Sequence, residues 1–139
     1  MARFAWWKDA TPDARRALAA ASFGWMLDSF DVMLYAMVLA SLMSDLDMTK
    51  ATAGLLGSLT LVASAVGGFI FGVLADRLGR RKALMASILI YSVFTAACGL
   101  ATGVVMLAVF RIFLGLGMGG EWASGAALVS ATWPARHRG

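Results

Sequence analysis

Four long apolar runs separated by short polar connectors set the plan of this chain. They cover residues 19–43, 51–75, 83–101 and 104–131. A helix needs about 20 apolar residues to cross the hydrocarbon of a bilayer, and each run is of about that length or longer. None alternates apolar and polar positions over about ten residues, as a membrane barrel strand would. The pattern predicts an all-α membrane protein with four transmembrane helices, a polar lead over residues 1–18 and a basic tail over 132–139.

The lead does not read as a signal peptide. It is long and polar, and the run that follows is too long and carries two aspartates. Thr11-Pro12-Asp13 predicts a helix start, with Thr11 as cap and Pro12 in the first turn. Phe4, Trp6 and Trp7 beside Arg3 and Lys8 suit a segment lying at the headgroups. Small residues recur every fourth position as Ser64, Gly68 and Gly72 in the second run and as Gly115, Gly119, Ala123 and Ala127 in the fourth. Such stripes let helices approach closely. The stretch GLGMGG at 115–120 matches a dinucleotide-binding fingerprint in form only, because it lies inside a span rather than between a strand and a helix.

Composition strengthens the membrane reading. Hydrophobic residues make up 60% of the 139 and charged residues 14%, with no Asn or Gln; mean hydropathy is +0.78. A soluble domain has about 25% charged residues. The net charge of +4 does not point to nucleic acid, because the basic residues sit in connectors. Arg3, Lys8, Arg15 and Arg16 precede the first run, Arg77, Arg80, Arg81 and Lys82 separate the second and third, and Arg136 and Arg138 follow the fourth. The remaining connectors hold only Lys50, beside Asp45 and Asp47. The positive-inside rule then predicts a multi-pass protein of the cell's inner (plasma) membrane with both termini in the cytoplasm. Cys98 and His137 are single, so no disulfide or Cys/His metal cluster forms within one chain, and no cofactor is expected. No nucleophile–base pair or phosphate loop points to an enzyme.

Four ionisable residues fall where charge is most costly: Asp28 and Asp31 in the first span, Arg111 and Glu121 in the fourth. Facing lipid, each would cost at least roughly 2–3 kcal/mol, so they are expected to face protein or a water-filled cavity. Asp28, Asp31 and Tyr35 share one helix face, with Gly24 one turn before them. Two carboxylates close together in low dielectric do not both ionise cheaply, which suits them to hold a proton, or equally a cation. Arg111 keeps its charge and offers a fork for Asp31 or for a substrate anion. Glu121, about 15 Å further along the helix, is a second candidate proton carrier. Trp25, Trp122 and Trp133 raise the question of sugar or aromatic binding. Trp133 reads as an interface anchor, and Trp122 as either lining a cavity or packing against lipid.

GVLADRLGRRKAL at 72–84 resembles the signature between the second and third helices of the major facilitator superfamily, with Gly72, Asp76, Arg77, Gly79, Arg80 and Arg81 all in register. RIFLGLGMGGE resembles that superfamily's fourth-helix signature and WPARHRG its exit from helix four. The resemblance implies the N-terminal four helices of a twelve-helix fold, with the chain cut before helix five. It implies secondary transport by the full-length parent, and Asp28-Ser-Phe-Asp31 with GMGGEW resembles its branch of proton-linked carriers of carboxylate metabolites. Substrate and proton coupling would then fall to Asp28, Asp31, Arg111 and Glu121, with Asp76 and Arg80 in a cytoplasmic gate. One departure is Ala131, where sugar-porter-like members carry Glu, which thins the intracellular ion-pair network. A sugar or drug transporter of the same fold, and a short four-helix protein acting as an oligomer or partner subunit, are the alternatives.

Overall fold

The computed structural model describes residues 10–132, so the tryptophans and basic residues expected at the headgroups before Ala10 and everything after Thr132 lie outside the described residues. Four helices follow one another: α1 (Pro12–Asp45), α2 (Lys50–Leu78), α3 (Arg80–Cys98) and α4 (Val104–Thr132). All four are long and apolar enough to cross a membrane. At 1.5 Å per residue α3, with 19 residues, reaches about 28 Å, while α1, with 34, reaches about 51 Å and overshoots the hydrocarbon.

The helix ends follow local chemistry. Thr11 caps α1, its Oγ1 accepting from the Ala14 N–H at 3.2 Å, with Pro12 as the first helical residue and an exposed Asp13–Arg16 pair in the first turn. Thr49 caps α2 in the same way through Thr52. Asp47 adopts a positive φ of 51° in the turn between them. The basic connector is shorter than its charge suggests. Asp76 and Arg77 belong to the last turn of α2, Arg80, Arg81 and Lys82 to the first turn of α3, and Gly79 alone separates the helices. Three cations at a helix N-terminus oppose the helix dipole, so α3 does not start there for its own stability. Arg80 reaches across to α4, where its Nη1 donates to the Ala127 carbonyl at 2.9 Å.

Gly79 holds φ 94° and ψ 139°, a conformation that a side chain strains even though open space surrounds the Cα. Gly79→Ala is expected to lower the stability of the membrane-embedded protein by about 1–3 kcal/mol, seen as a lower midpoint in detergent thermal unfolding. Gly72→Ala, at a helical glycine with nothing within 4 Å of an added Cβ, should leave the midpoint unchanged or raise it slightly.

α4 is the centre of the bundle. It packs along α2 and α3 and also meets α1, whereas α1 and α2 barely touch. Its glycines make this possible, because the neighbours are on two sides. Gly115 and Gly119 lie against the Thr60 and Ser64 carbonyls of α2, with no room for a Cβ at either. Gly117, on the other side, lies against the backbone of Ser87 and Tyr91 in α3. In return Gly67 of α2 lies against the Leu116 carbonyl. The GLGMGG run is therefore a close-packing device. The small-residue stripe expected at Ser64, Gly68 and Gly72 is shifted: the contact uses Thr60, Ser64, Gly67 and Gly68, and Gly72 takes no part. Phe71, Ala75 and Ala83 close the end of the bundle near Gly79. Met48, Leu56 and Leu107 join the two connectors at the opposite end.

Candidate functional site

The buried positions of α1 are Ala14, Ala17, Ala21, Gly24, Asp28 and Asp31. They recur every three to four residues, so one stripe faces the rest of the bundle. The stripe turns from alanine to aspartate where it meets α4. The two helices run antiparallel there: Ala21 is beside Gly125, Gly24 beside Glu121, Asp28 beside Trp122 and Tyr35 beside Arg111. The polar residues of both helices are thus gathered along a single seam.

At the end of the seam toward the α1–α2 turn, the Arg111 guanidinium lies 3.6 Å above the Tyr35 ring. The Tyr35 hydroxyl donates to the Ala53 carbonyl of α2 at 3.1 Å, so the ring is held from behind while its face meets the cation. Arg111 is buried, and its Nε has no hydrogen-bond partner. Its charge acts on Asp31, yet no ion pair joins the two among the described residues. The direct Arg111–Asp31 fork that the sequence allowed is replaced by stacking on Tyr35.

Further along, the Trp122 indole N–H donates to Asp28 Oδ2 at 2.9 Å, and the Trp122 ring stacks on Trp25 with centroids 4.9 Å apart. Trp122 therefore does more than face lipid. Its polar edge is tied to a buried carboxylate, while 53% of the residue stays exposed. Glu121, 1% exposed, presses its carboxylate against Gly24, so a Cβ there would displace the carboxylate. Asp28 Oδ1, Glu121 Oε1 and Ser124 Oγ are all buried without a partner. Asp28 is close enough to both Asp31 and Glu121 for their charges to interact, so the three carboxyls form a row with Arg111 at one end.

Asp31 also opens into a cleft between α1 and α3 of about 310 Å³, lined by Leu27, Phe30 and Leu34 on one side and Tyr91, Ser92 and Thr95 on the other. Tyr91 was not singled out by sequence reasoning. It is 4% exposed, donates to the Leu27 carbonyl at 3.0 Å, and lies within electrostatic reach of all three carboxyls. A phenol inside an apolar span was the available signal. Asp76, Arg77, Arg80 and Arg81, which the resemblance associates with a gate, lie elsewhere, exposed at the Gly79 end of the bundle.

A row of acidic groups and one buried cation across two glycine-packed membrane helices is joined by a sequence-wide match. The family model of the Major Facilitator Superfamily covers residues 5–139. The chain belongs to the Major Facilitator Superfamily. It is 40% identical over 98% of its length to a protein of Cupriavidus pinatubonensis named as a probable 4-methylmuconolactone transporter, and 41% identical over 94% to a sialic acid transporter of Escherichia coli. A gentisate transporter of Corynebacterium glutamicum is 37% identical over 86%. The chain spans about a third of the length of these superfamily members, 32%, 32% and 28% respectively. With four membrane-length helices, this superfamily member is a multi-pass membrane protein.

Proposed function

We propose that the protein works as, or within, a secondary transporter that couples protons to movement of a small organic acid across the inner membrane. Both ends and the Gly79 junction would lie in the cytoplasm, as the distribution of basic residues favours. The observation that carries the reading is Arg111, the one buried cation among the described residues, set at the end of a row of three buried carboxyls. A guanidinium with an unpartnered N–H in a low-dielectric seam is suited to receive a carboxylate. Gentisate and sialic acid, after which two relatives are named, are carboxylic acids. The carboxyl row offers places for the coupled proton, and Asp31, between the cation and the cleft, would sense both.

The test uses cells producing the complete polypeptide that the gene encodes, given radiolabelled benzoate, gentisate or sialic acid. At least one is expected to accumulate above the vector control, and a protonophore should collapse the gradient. Asp31→Asn is expected to cut accumulation roughly tenfold or more, since losing a charged partner in a buried network costs about 1.5–3 kcal/mol. Accumulation that ignores both the protonophore and Asp31→Asn would remove proton coupling and Asp31 from the proposal. No accumulation of any of the three would remove the substrate class.

A further inference from the structure

Asp28 and Glu121 face each other across the α1–α4 seam, and their hydrogen bonding is unequal. Asp28 has a donor, the Trp122 indole N–H at 2.9 Å, on Oδ2, while its Oδ1 is buried without a partner. Glu121 Oε1 is also buried without a partner, and its carboxylate is packed against Gly24. The indole N–H only donates, so it pairs best with a carboxylate that carries charge. Trp122 follows Glu121 directly in sequence, and its ring is fixed by the stack on Trp25. One side chain therefore both orients Asp28 and ties it to the backbone that bears Glu121.

We propose that Trp122 is a positioning residue for proton exchange, holding Asp28 as the charged acceptor so that Glu121 is the carboxyl that takes up and releases the coupled proton. The inference rests on the proton-coupled reading above. On release, the O–H bond of Glu121 breaks, the electron pair stays on the carboxylate and the proton passes to water; on loading the step reverses. The other ionisable groups near the pair are Asp31 on α1, Arg111 acting through Asp31 on α4, and Tyr91 on α3. Arg111 offsets the charge of Asp31, and the Tyr91 hydroxyl is engaged with the Leu27 carbonyl. Neither supplies Glu121 with a donor.

Two measurements on the complete polypeptide reconstituted in liposomes separate this inference from the transport reading. The first is spectroscopic and needs no transport. The ultraviolet resonance Raman band that reports indole N–H hydrogen bonding is taken as wild type minus Trp122→Phe and followed with pH. The charge on Glu121 acts on Asp28, so the Trp122 band is expected to shift as Glu121 titrates and to stay fixed in Glu121→Gln. A band that ignores pH, or that titrates identically in Glu121→Gln, overturns the proposal. The second compares proton-driven accumulation with substrate exchange, using radiolabelled benzoate, gentisate or sialic acid, whichever is taken up. Glu121→Gln is expected to keep exchange and lose accumulation. Trp122→Phe, which keeps a stacking ring but no N–H, is expected to keep exchange and shift the pH midpoint of accumulation by roughly one unit or more, because Asp28 then competes with Glu121 for the proton. An unmoved midpoint, or exchange lost together with accumulation in well-folded Trp122→Phe, overturns it. Absence of transport in the wild type removes the transport reading, and the Raman titration still decides the role of Trp122.

Discussion

Uptake should fall at least roughly a hundredfold when Arg111 is replaced by alanine, and lysine should restore little of it. The guanidinium is buried, lies 3.6 Å above the Tyr35 ring and acts electrostatically on Asp31. Removing one member of a buried charge set costs about 3–5 kcal/mol, because the remaining charge is left uncompensated. At 1.4 kcal/mol per factor of ten, that exceeds two orders of magnitude. Lysine keeps the charge but has neither the planar face that stacks on Tyr35 nor the fork that grips a carboxylate. Uptake is measured beside the amount of protein in the membrane. Arg111→Ala present at the wild-type level and transporting normally would take Arg111 out of the site.

The second large effect concerns assembly. Gly119→Leu is expected to deplete folded protein from the membrane, and Gly119→Ala to lower its thermal midpoint clearly. An added Cβ would overlap the Ser64 carbonyl of α2, a backbone atom that cannot swing aside as a side chain would. The helices would have to part, losing the close approach along Gly67 and Gly115 as well. Overpacking costs about 1–3 kcal/mol where side chains can adjust, and a backbone clash lies at or beyond the upper end. Gly54→Ala is the matched control, with open space around its Cα. Equal membrane levels and midpoints for Gly119→Leu and Gly54→Ala would show that the α2–α4 contact does not hold the bundle together.

The spans were legible because a bilayer demands about 20 apolar residues and nothing else in the chain supplies them. The register of contact was not. In lipid, hydrophobicity does not mark which helix face is buried, so α2 offers two interleaved small-residue stripes. The contact draws on both, taking Ser64 and Gly68 from the stripe that runs on to Gly72 and adding Gly67, while Gly72 itself is left out. The cost of buried charge singled out Asp28, Asp31, Arg111 and Glu121, and the structure sets all four along one seam. It could not show that Tyr35 would lie beneath Arg111, because that depends on how α1 and α4 cross. Nor could it place the Tyr91 hydroxyl on the Leu27 carbonyl or the Trp122 N–H on Asp28. An aromatic residue in a span satisfies lipid equally well, and only its hydrogen bond, seen in three dimensions, reveals the difference.

The glycine contacts of α4 have a mechanical consequence. Carbonyls of α2 seat against Gly115 and Gly119, one turn apart, and a carbonyl of α4 seats against Gly67 between them. Backbone meshed in this way behaves like a toothed rack: α4 cannot creep along α2, and the next matching position is a whole turn, about 5.4 Å, away. Gly117 locks the opposite flank to α3. Among the described residues, α2, α3 and α4 are therefore expected to move together as one rigid body. Relative movement is left to α1, whose alanine and aspartate stripe meets α4 mainly through side chains.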